Sequence, residues 1–160
     1  HELLASNAAM LAEIGARFPG TIENGALQRK KLGALVFADA AALGDLNAIT
    51  HRYVRDEVRA RLRAWARQGG TAAAIDAIAL IESGLAELCT VTIGVTAPRE
   101  ARIERLIARE GVTRDYAEAR IDAQKPNEWF VQHCSHVLDN GGTLAEFQHR
   151  CHQLIQEVLS

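Results

Sequence analysis

Aromatic side chains are scarce in this sequence, at 5% of 160 residues, while alanine and leucine dominate, which favours helices. Neither charge prevails: the formal net charge is −2. That excludes a global basic field of the kind that draws proteins to nucleic acid, so any anion binding has to come from local clusters. No apolar run approaches the ~20 residues of a membrane-spanning helix, and no membrane partner is expected. Cys89, Cys134 and Cys151 are an odd number with no CxxC pair. This argues against a disulfide framework and for a reducing compartment. The first residues lack the basic region and long apolar core of a secretory signal, so a cytoplasmic setting is expected.

What is present suits one ordinary domain with a normal core, at 48% hydrophobic residues. The opening "HELLASNAAMLAEIGARF" already reads as mid-helix. Leu3, Leu4, Leu11, Ile14 and Phe18 form an apolar stripe with no cap before it, so further residues are expected upstream of His1. Pro19-Gly20 ends that helix, and Asn24-Gly25 signals a turn. "LQRKKLGALVF" predicts a short amphipathic helix, and Asp39 can cap another, "AAALGDLNAIT". "NAITHRYVRDEVRARLRAWARQ" predicts a long helix buried through Ile49, Tyr53, Val54, Val58, Leu62 and Trp65, and ended by Gly69-Gly70.

The texture then changes. "TAAAIDAIAL" suits a fully buried parallel strand, and "CTVTIGV", rich in β-branched residues, a second. Thr96 can cap the helix that follows, with Pro98 in its first turn. "GVT" breaks that helix and Thr113 can cap "RDYAEARIDAQ". "NEWFVQHC" is a short helical piece and "SHVLDNGG" a strand closed by a turn. Thr143 and Glu146 have capping-box spacing ahead of a last helix. A helical first part followed by strand, strand, helices, strand and helix predicts an α/β fold with an open sheet.

The chemistry-bearing feature is "APREARIERLIAREG". Arg99, Arg102, Arg105 and Arg109 recur at spacings of three, three and four, one stripe on a helix. No acid stands three or four residues from any of them on that helix. Like-charge neighbours cost about 0.2–0.5 kcal/mol per pair, so compensation has to come from off the helix. Either an acidic surface of the fold or an anionic ligand can supply it, since arginine forks match phosphate oxygens bidentately. The helix also follows a strand end, where α/β folds place ligands. Arg114 and Arg120 add charge around the Gly111 hinge, as on a flap that covers a nucleotide.

Asp76 within the first apolar strand and Glu82 just beyond it are candidates to hold Mg²⁺ directly or through water. An Asp paired with a backbone amide or lysine is the alternative. His133, Cys134, His136, His149, Cys151 and His152 form a crowd, but their spacings do not match structural zinc. "QRKK" and "RARLRAWARQ" read as solvated helix faces.

Several segments occur in a specific order. "LQRKKLGALVFADAAALGDLNAITHRYVRDEV" carries an arginine, a Leu-x-x-x-Val-Phe core, a leucine, and a histidine opening a long helix. "AIDAIALIESGL" is a strand and loop, "VTAPREARIERLIAREGVTRDYAEARIDAQ" a lid, and "HVLDNGG" a last strand with an Asn-Gly turn. Together they resemble the dephospho-CoA kinase family, P-loop kinases that transfer phosphate from ATP to the ribose 3′-hydroxyl of dephospho-CoA. Family members usually have His-Pro where this chain has His51-Arg52. The chain also has no G-x-x-x-x-G-K-[ST] run. The resemblance implies that activity requires residues ahead of His1: a first strand, the phosphate loop, and an aspartate acting as general base just upstream of His1-Glu2-Leu3-Leu4.

It further implies a parallel-sheet P-loop kinase fold. Residues 1–69 would form a helical substrate subdomain and 70–160 the rest of the nucleotide core, with a lid over about 99–133. The missing first strand would be the shared neighbour of strands near 73–79 and 90–95. Arg105 and Arg109 would stabilise phosphate charge from the lid. Arg29, His51 and Glu82 would contact dephospho-CoA, and Arg102, Gln124, Asn140 and Gly141 the nucleotide. Asp76 would position Mg²⁺. ATP is the co-substrate implied, with no nucleic-acid partner. The alternatives left open are another small-molecule P-loop kinase of nucleotide or nucleoside type, and a non-catalytic binding domain.

Overall fold

Asn7 divides the N-terminal apolar stripe into two helices in the computed structural model, which describes residues 3–159. These are α1 (Leu3–Ser6) and α2 (Ala8–Arg17). The Asn7 side-chain oxygen accepts from the Met10 N–H at 2.9 Å, satisfying a donor that every helix start leaves open. The single first helix expected from the sequence is therefore two, and His1 and Glu2 lie outside the described residues. Asn24 and Gly25 take φ of 50° and 75°. That is what a two-residue hairpin turn requires, and it pairs β1 (Ile22–Glu23) with β2 (Ala26–Leu27). Next comes α3 (Arg29–Ala38), which buries Leu32 and Val36. Phe37, expected in the same core, is instead 84% exposed.

The Asp39 carboxylate accepts from the Ala41 N–H at 2.8 Å and opens α4 (Ala40–Arg67). Two helices were expected here; one continuous helix of 28 residues is observed. It runs unbroken past Arg52, where proline would have removed a backbone hydrogen bond. Arg52 pairs instead with Glu13 of α2, whose carboxylate also accepts from the Tyr53 hydroxyl at 3.1 Å. Met10, Ile14, Phe18, Leu32, Val36, Ala42 and Ile49 form the core of this first unit, His1–Leu88. The expected apolar face of α4 thins out along the helix: Ile49 is buried, Tyr53 half-buried and Trp65 49% exposed.

Residues 70–77 take no regular structure, so the strand expected over 73–79 is not formed. Residues 78–84 turn and lead into a single 3-10 turn, Leu85–Leu88. Ile78 is fully exposed. A parallel strand persists only where neighbours take up its backbone N–H and C=O groups. Among the described residues no strand pairs with this segment; the Ala72 carbonyl accepts from Trp65 Nε1 at 2.7 Å instead.

The second unit, Cys89–Ser160, is α/β. Its elements are β3 (Ile93–Thr96), α5 (Arg99–Glu110), α6 (Arg114–Asp122), α7 (Asn127–His133), β4 (His136–Asp139) and α8 (Leu144–Leu159). β3 and β4 pair in parallel, Ile93 opposite His136 through Thr96 opposite Asp139. Three helices form the crossover such a pair needs. Gly94 admits α7: a Cβ there would lie 3.1 Å from Phe130 Cβ and 3.2 Å from Cys134 Sγ. Thr96 ends β3 rather than capping α5; Pro98 holds the cap position without a side-chain bond. Gly111, at φ 67°, closes α5. Thr113 caps α6 through the Tyr116 N–H, and Thr143 with Glu146 forms the expected capping box before α8. Ile103 and Leu106 of α5 pack on Ala117 and Ile121 of α6.

Ile103 is wholly buried in that contact. Ile103→Ala should lower the free energy of unfolding by about 2–5 kcal/mol, measured by urea denaturation. A loss below ~1 kcal/mol would mean that the two helices collapse into the space left.

Candidate functional site

With its apolar edge on α6, α5 turns its arginines outward, and each finds a partner off its own stripe. Arg99 donates through Nε and Nη2 to the two carboxylate oxygens of Asp122, at 2.9 and 2.8 Å, a bidentate fork. Arg109 donates to Glu110 Oε1 at 2.8 Å, while Arg120 holds Oε2 of the same carboxylate at 2.6 Å. Arg102 donates to the Gln124 amide oxygen, and Arg105 to the Asn140 carbonyl at 2.7 Å. Of the two compensations the sequence left open, the acids of the fold supply only part. Carboxylates answer Arg99 and Arg109. Arg102 and Arg105 rest on neutral oxygens, and among the described residues neither is in an ion pair. Arg114 leaves the stripe's neighbourhood to pair with Glu100 at 2.6 Å and Glu118 at 3.0 Å.

These contacts gather at the carboxyl ends of the parallel strands, where open α/β sheets bind ligands. The Asn140 N–H donates to the Thr96 carbonyl at 2.7 Å, carrying the ladder one residue beyond β4. Gly141 follows directly. A Cβ there would stand 2.8 Å from Pro98 Cδ, so only glycine lets this turn lie against the start of α5. Arg150 of α8 secures the strand end, donating to the Asp139 carbonyl at 2.8 Å and its carboxylate at 3.3 Å. Asn127 Nδ2 donates to the Ala97 carbonyl at 3.1 Å. Arg99, Arg102, Gln124, Lys125 and Asn127 line a cleft of about 400 Å³. Arg102 with Gln124, and Arg105 with Asn140 and Gly141, are therefore brought together. Arg109 stands further along the helix with its side chain 72% exposed.

In the first unit Arg29 is the first residue of α3, and His51 is half-buried within α4. Glu82 is exposed on the 78–84 turn. Asp76 is exposed in the irregular segment, not within a buried strand. No hydrogen bond joins any two of these four. No group of three or more His, Cys, Asp or Glu side chains is set to hold a metal ion among the described residues. Sequence reasoning passed over Arg150, Asn127 and Arg55. Arg150 and Asn127 act across the fold on backbone carbonyls, which leaves no spacing signal. Arg55 follows His51 by four residues, and its Nε is buried without a hydrogen-bond partner.

Several protonation equilibria follow from these contacts. The hydrogen bond from Arg99 holds the Asp122 carboxyl below the usual range. That from Arg109, with the charge of Arg120, does the same for Glu110. The Thr143 N–H lowers Glu146. Burial pushes the Cys89 and Cys134 thiols up, away from nucleophilic character.

A family model described as dephospho-CoA kinase matches residues 1–146. The dephospho-CoA kinase of Geobacter sulfurreducens is 37% identical over 133 residues, 83% of this chain and 68% of that protein. The Mesorhizobium japonicum dephospho-CoA kinase is 35% identical over 158 residues, 99% of this chain and 79% of that one. Among solved structures, dephospho-CoA kinase from Campylobacter jejuni superposes with a TM-score of 0.67 at 25% identity, covering 99% of this chain and 80% of that one. TT1252 from Thermus thermophilus gives 0.68 at 29% identity, covering 98% and 81%.

The lowered carboxyls set a pH dependence. A group whose folded pKa is depressed stabilises the fold above its unfolded pKa, about 4 for a carboxylate, and loses that contribution as pH falls through the folded value. The melting temperature should therefore fall on acidification below about pH 4, and Asp122→Asn should make that fall shallower. An unchanged acid slope in Asp122→Asn would show that the Arg99 fork adds nothing to stability.

Proposed function

The chain belongs to the dephospho-CoA kinase family, and we propose that it transfers the ATP γ-phosphate to the ribose 3′-hydroxyl of dephospho-CoA, giving coenzyme A. Within the geometry, the observation that supports this best is the pair of arginines, Arg102 and Arg105, resting on neutral oxygens beside the strand ends. A hydrogen bond to an amide or carbonyl leaves a guanidinium's charge uncompensated. A phosphate oxygen offers both the acceptor and the counter-charge.

In the reaction proposed, the 3′-oxygen bonds to the γ-phosphorus as the bond to the ADP oxygen breaks, and charge spreads over the transferred group. The hydroxyl proton would pass to a general base, a part that the family resemblance gives to an aspartate. Catalysis of this kind is largely positioning and charge neutralisation. Arg105 and Arg109 would supply the charge. Arg109 can leave Glu110 without stranding it, because Arg120 holds the other carboxylate oxygen. Arg102, Gln124, Asn140 and Gly141 would shape the nucleotide side. Arg29, His51 and Glu82 would contact the acceptor. We propose that Mg²⁺ enters with ATP as the substrate complex. Asp76, exposed and outside any cluster of three or more ligating side chains among the described residues, would meet that ion through water, and no step is drawn through the ion.

The purified protein should release ADP from ATP only when dephospho-CoA is added. Release driven by AMP or a nucleoside would keep the kinase class and reassign the acceptor. No Mg-dependent ATP binding at all would favour a binding domain. Arg109→Ala should cut kcat/KM by at least about tenfold, the worth of one lost charge-assisted contact, with little change in melting temperature. A drop of several degrees with activity per folded molecule intact would make the arginine structural.

A further inference from the structure

Glu110 answers two guanidinium groups at once. It is the last residue of α5, and Gly111, in the left-handed region at φ 67°, turns the chain toward α6 directly after it. Arg109 donates to Oε1 at 2.8 Å from the same helix, and Arg120 to Oε2 at 2.6 Å from α6. Among the described residues neither arginine is paired with a second carboxylate. Two guanidinium groups that cannot shed their protons share one carboxylate, so one positive charge is in surplus.

The two arginines are held unequally. Arg120 also lies over the Tyr116 ring, 5.9 Å from its centroid and one turn back on α6, and its side chain is 44% exposed. Arg109 has the carboxylate alone, and its side chain is 72% exposed. Adjacent residues of a helix do not face each other, so the Arg109–Glu110 contact is not one that α5 imposes. The Arg120–Glu110 contact spans the two helices, which pack through Ile103 and Leu106 on Ala117 and Ile121. The fold therefore fixes one partner of Glu110 and leaves the other able to depart.

We propose that Arg120 is a positioning residue, which with Glu110 forms a seat from which Arg109 is released to phosphate. This rests on the kinase reading above, in which Arg109 meets the phosphates of ATP. An arginine that leaves a carboxylate for a phosphate exchanges one anion for another, and the cost lies in what it leaves behind. With Arg120 in place, a neutral ion pair remains. Without it, Glu110 has Arg109 as its sole counter-ion and, once deserted, is an uncompensated anion that repels the incoming phosphates. In this role Arg120 does not touch the nucleotide, so its loss should be repaired by removing the Glu110 charge as well. All three side chains are partly exposed, which screens the effect to a few-fold change.

The test compares wild type with Arg120→Gln, Arg120→Lys, Glu110→Gln and the double variant Arg120→Gln with Glu110→Gln. Calorimetric binding of ATP, ADP release with dephospho-CoA and melting temperature are measured on the purified protein. Arg120→Gln should raise Kd for ATP and lower kcat/KM for ATP about three- to fivefold, with KM for dephospho-CoA within about twofold. Glu110→Gln should bind ATP at least as tightly as wild type, and the double variant should return to wild-type values. Arg120→Lys, which keeps the charge, should stay near wild type. If Arg120→Gln and Glu110→Gln instead share a lowered melting temperature while the constants for ATP hold, the pair only joins two helices and the proposal is overturned. A loss in Arg120→Gln that Glu110→Gln does not repair makes Arg120 a direct phosphate ligand and overturns it too. Wild-type turnover of dephospho-CoA with an unaffected Arg120→Gln also overturns it, leaving the kinase reading intact. The expected pattern in ATP binding without turnover of dephospho-CoA supports the seat and rejects the kinase reading. Wild type that neither binds ATP nor releases ADP rejects both.

Discussion

A guanidinium in a protein stays charged, and much of this molecule is arranged around that constraint. Along α5, the burial of Ile103 and Leu106 against Ala117 and Ile121 sets which edge of the helix is free. The arginines then have to find partners from whatever that seating brings near. Asp122 comes from the end of α6 and Gln124 from just beyond it, Glu110 from α5 itself, and the Asn140 carbonyl from the end of β4. Had α5 been rotated by one residue on α6, its apolar edge would have faced water and the fork to Asp122 would have been out of reach.

The strand ends supply the fixed side of this arrangement. Gly94 lets α7 press on β3, and Gly141 lets the turn after β4 press on Pro98. Both approaches need a residue without a Cβ, so close packing rather than flexibility explains these glycines. Arg150 then ties α8 to the same strand end. Arg105, anchored on the Asn140 carbonyl, therefore starts from a defined position at these strand ends.

The first unit answers its charges differently. Its helices are joined across their surfaces by Arg17 with Asp45 and Arg52 with Glu13. These are exposed pairs whose worth is small, over a core that does most of the holding. Arg52 keeps the backbone N–H that a proline would lack, and α4 is continuous there. Against this background a half-buried Arg55 with an unbonded Nε stands out.

Most local signals were read correctly, although Thr96 ends β3 and Asn7 splits the first helix in two. Asp39, Thr113 and the Thr143–Glu146 box cap helices as their spacing indicates, and Asn24-Gly25 turns a hairpin. The α/β class and the arginine stripe were equally legible. The Leu-x-x-x-Val-Phe pattern was read too broadly, since helical position buries Leu32 and Val36 but turns Phe37 outward. The run over 73–79 was read as a strand from its composition, but strand formation depends on partners distant in sequence, and there it failed. What the sequence by itself determined was the caps, turns, helix periods and the need for charge compensation on α5, because each acts within a turn or two of chain. Only the tertiary structure decided which oxygen answers each arginine of the α5 stripe, and that Arg55 Nε has no partner among the described residues. Those outcomes depend on residues tens of positions apart meeting at a few ångströms, which no spacing along the chain encodes.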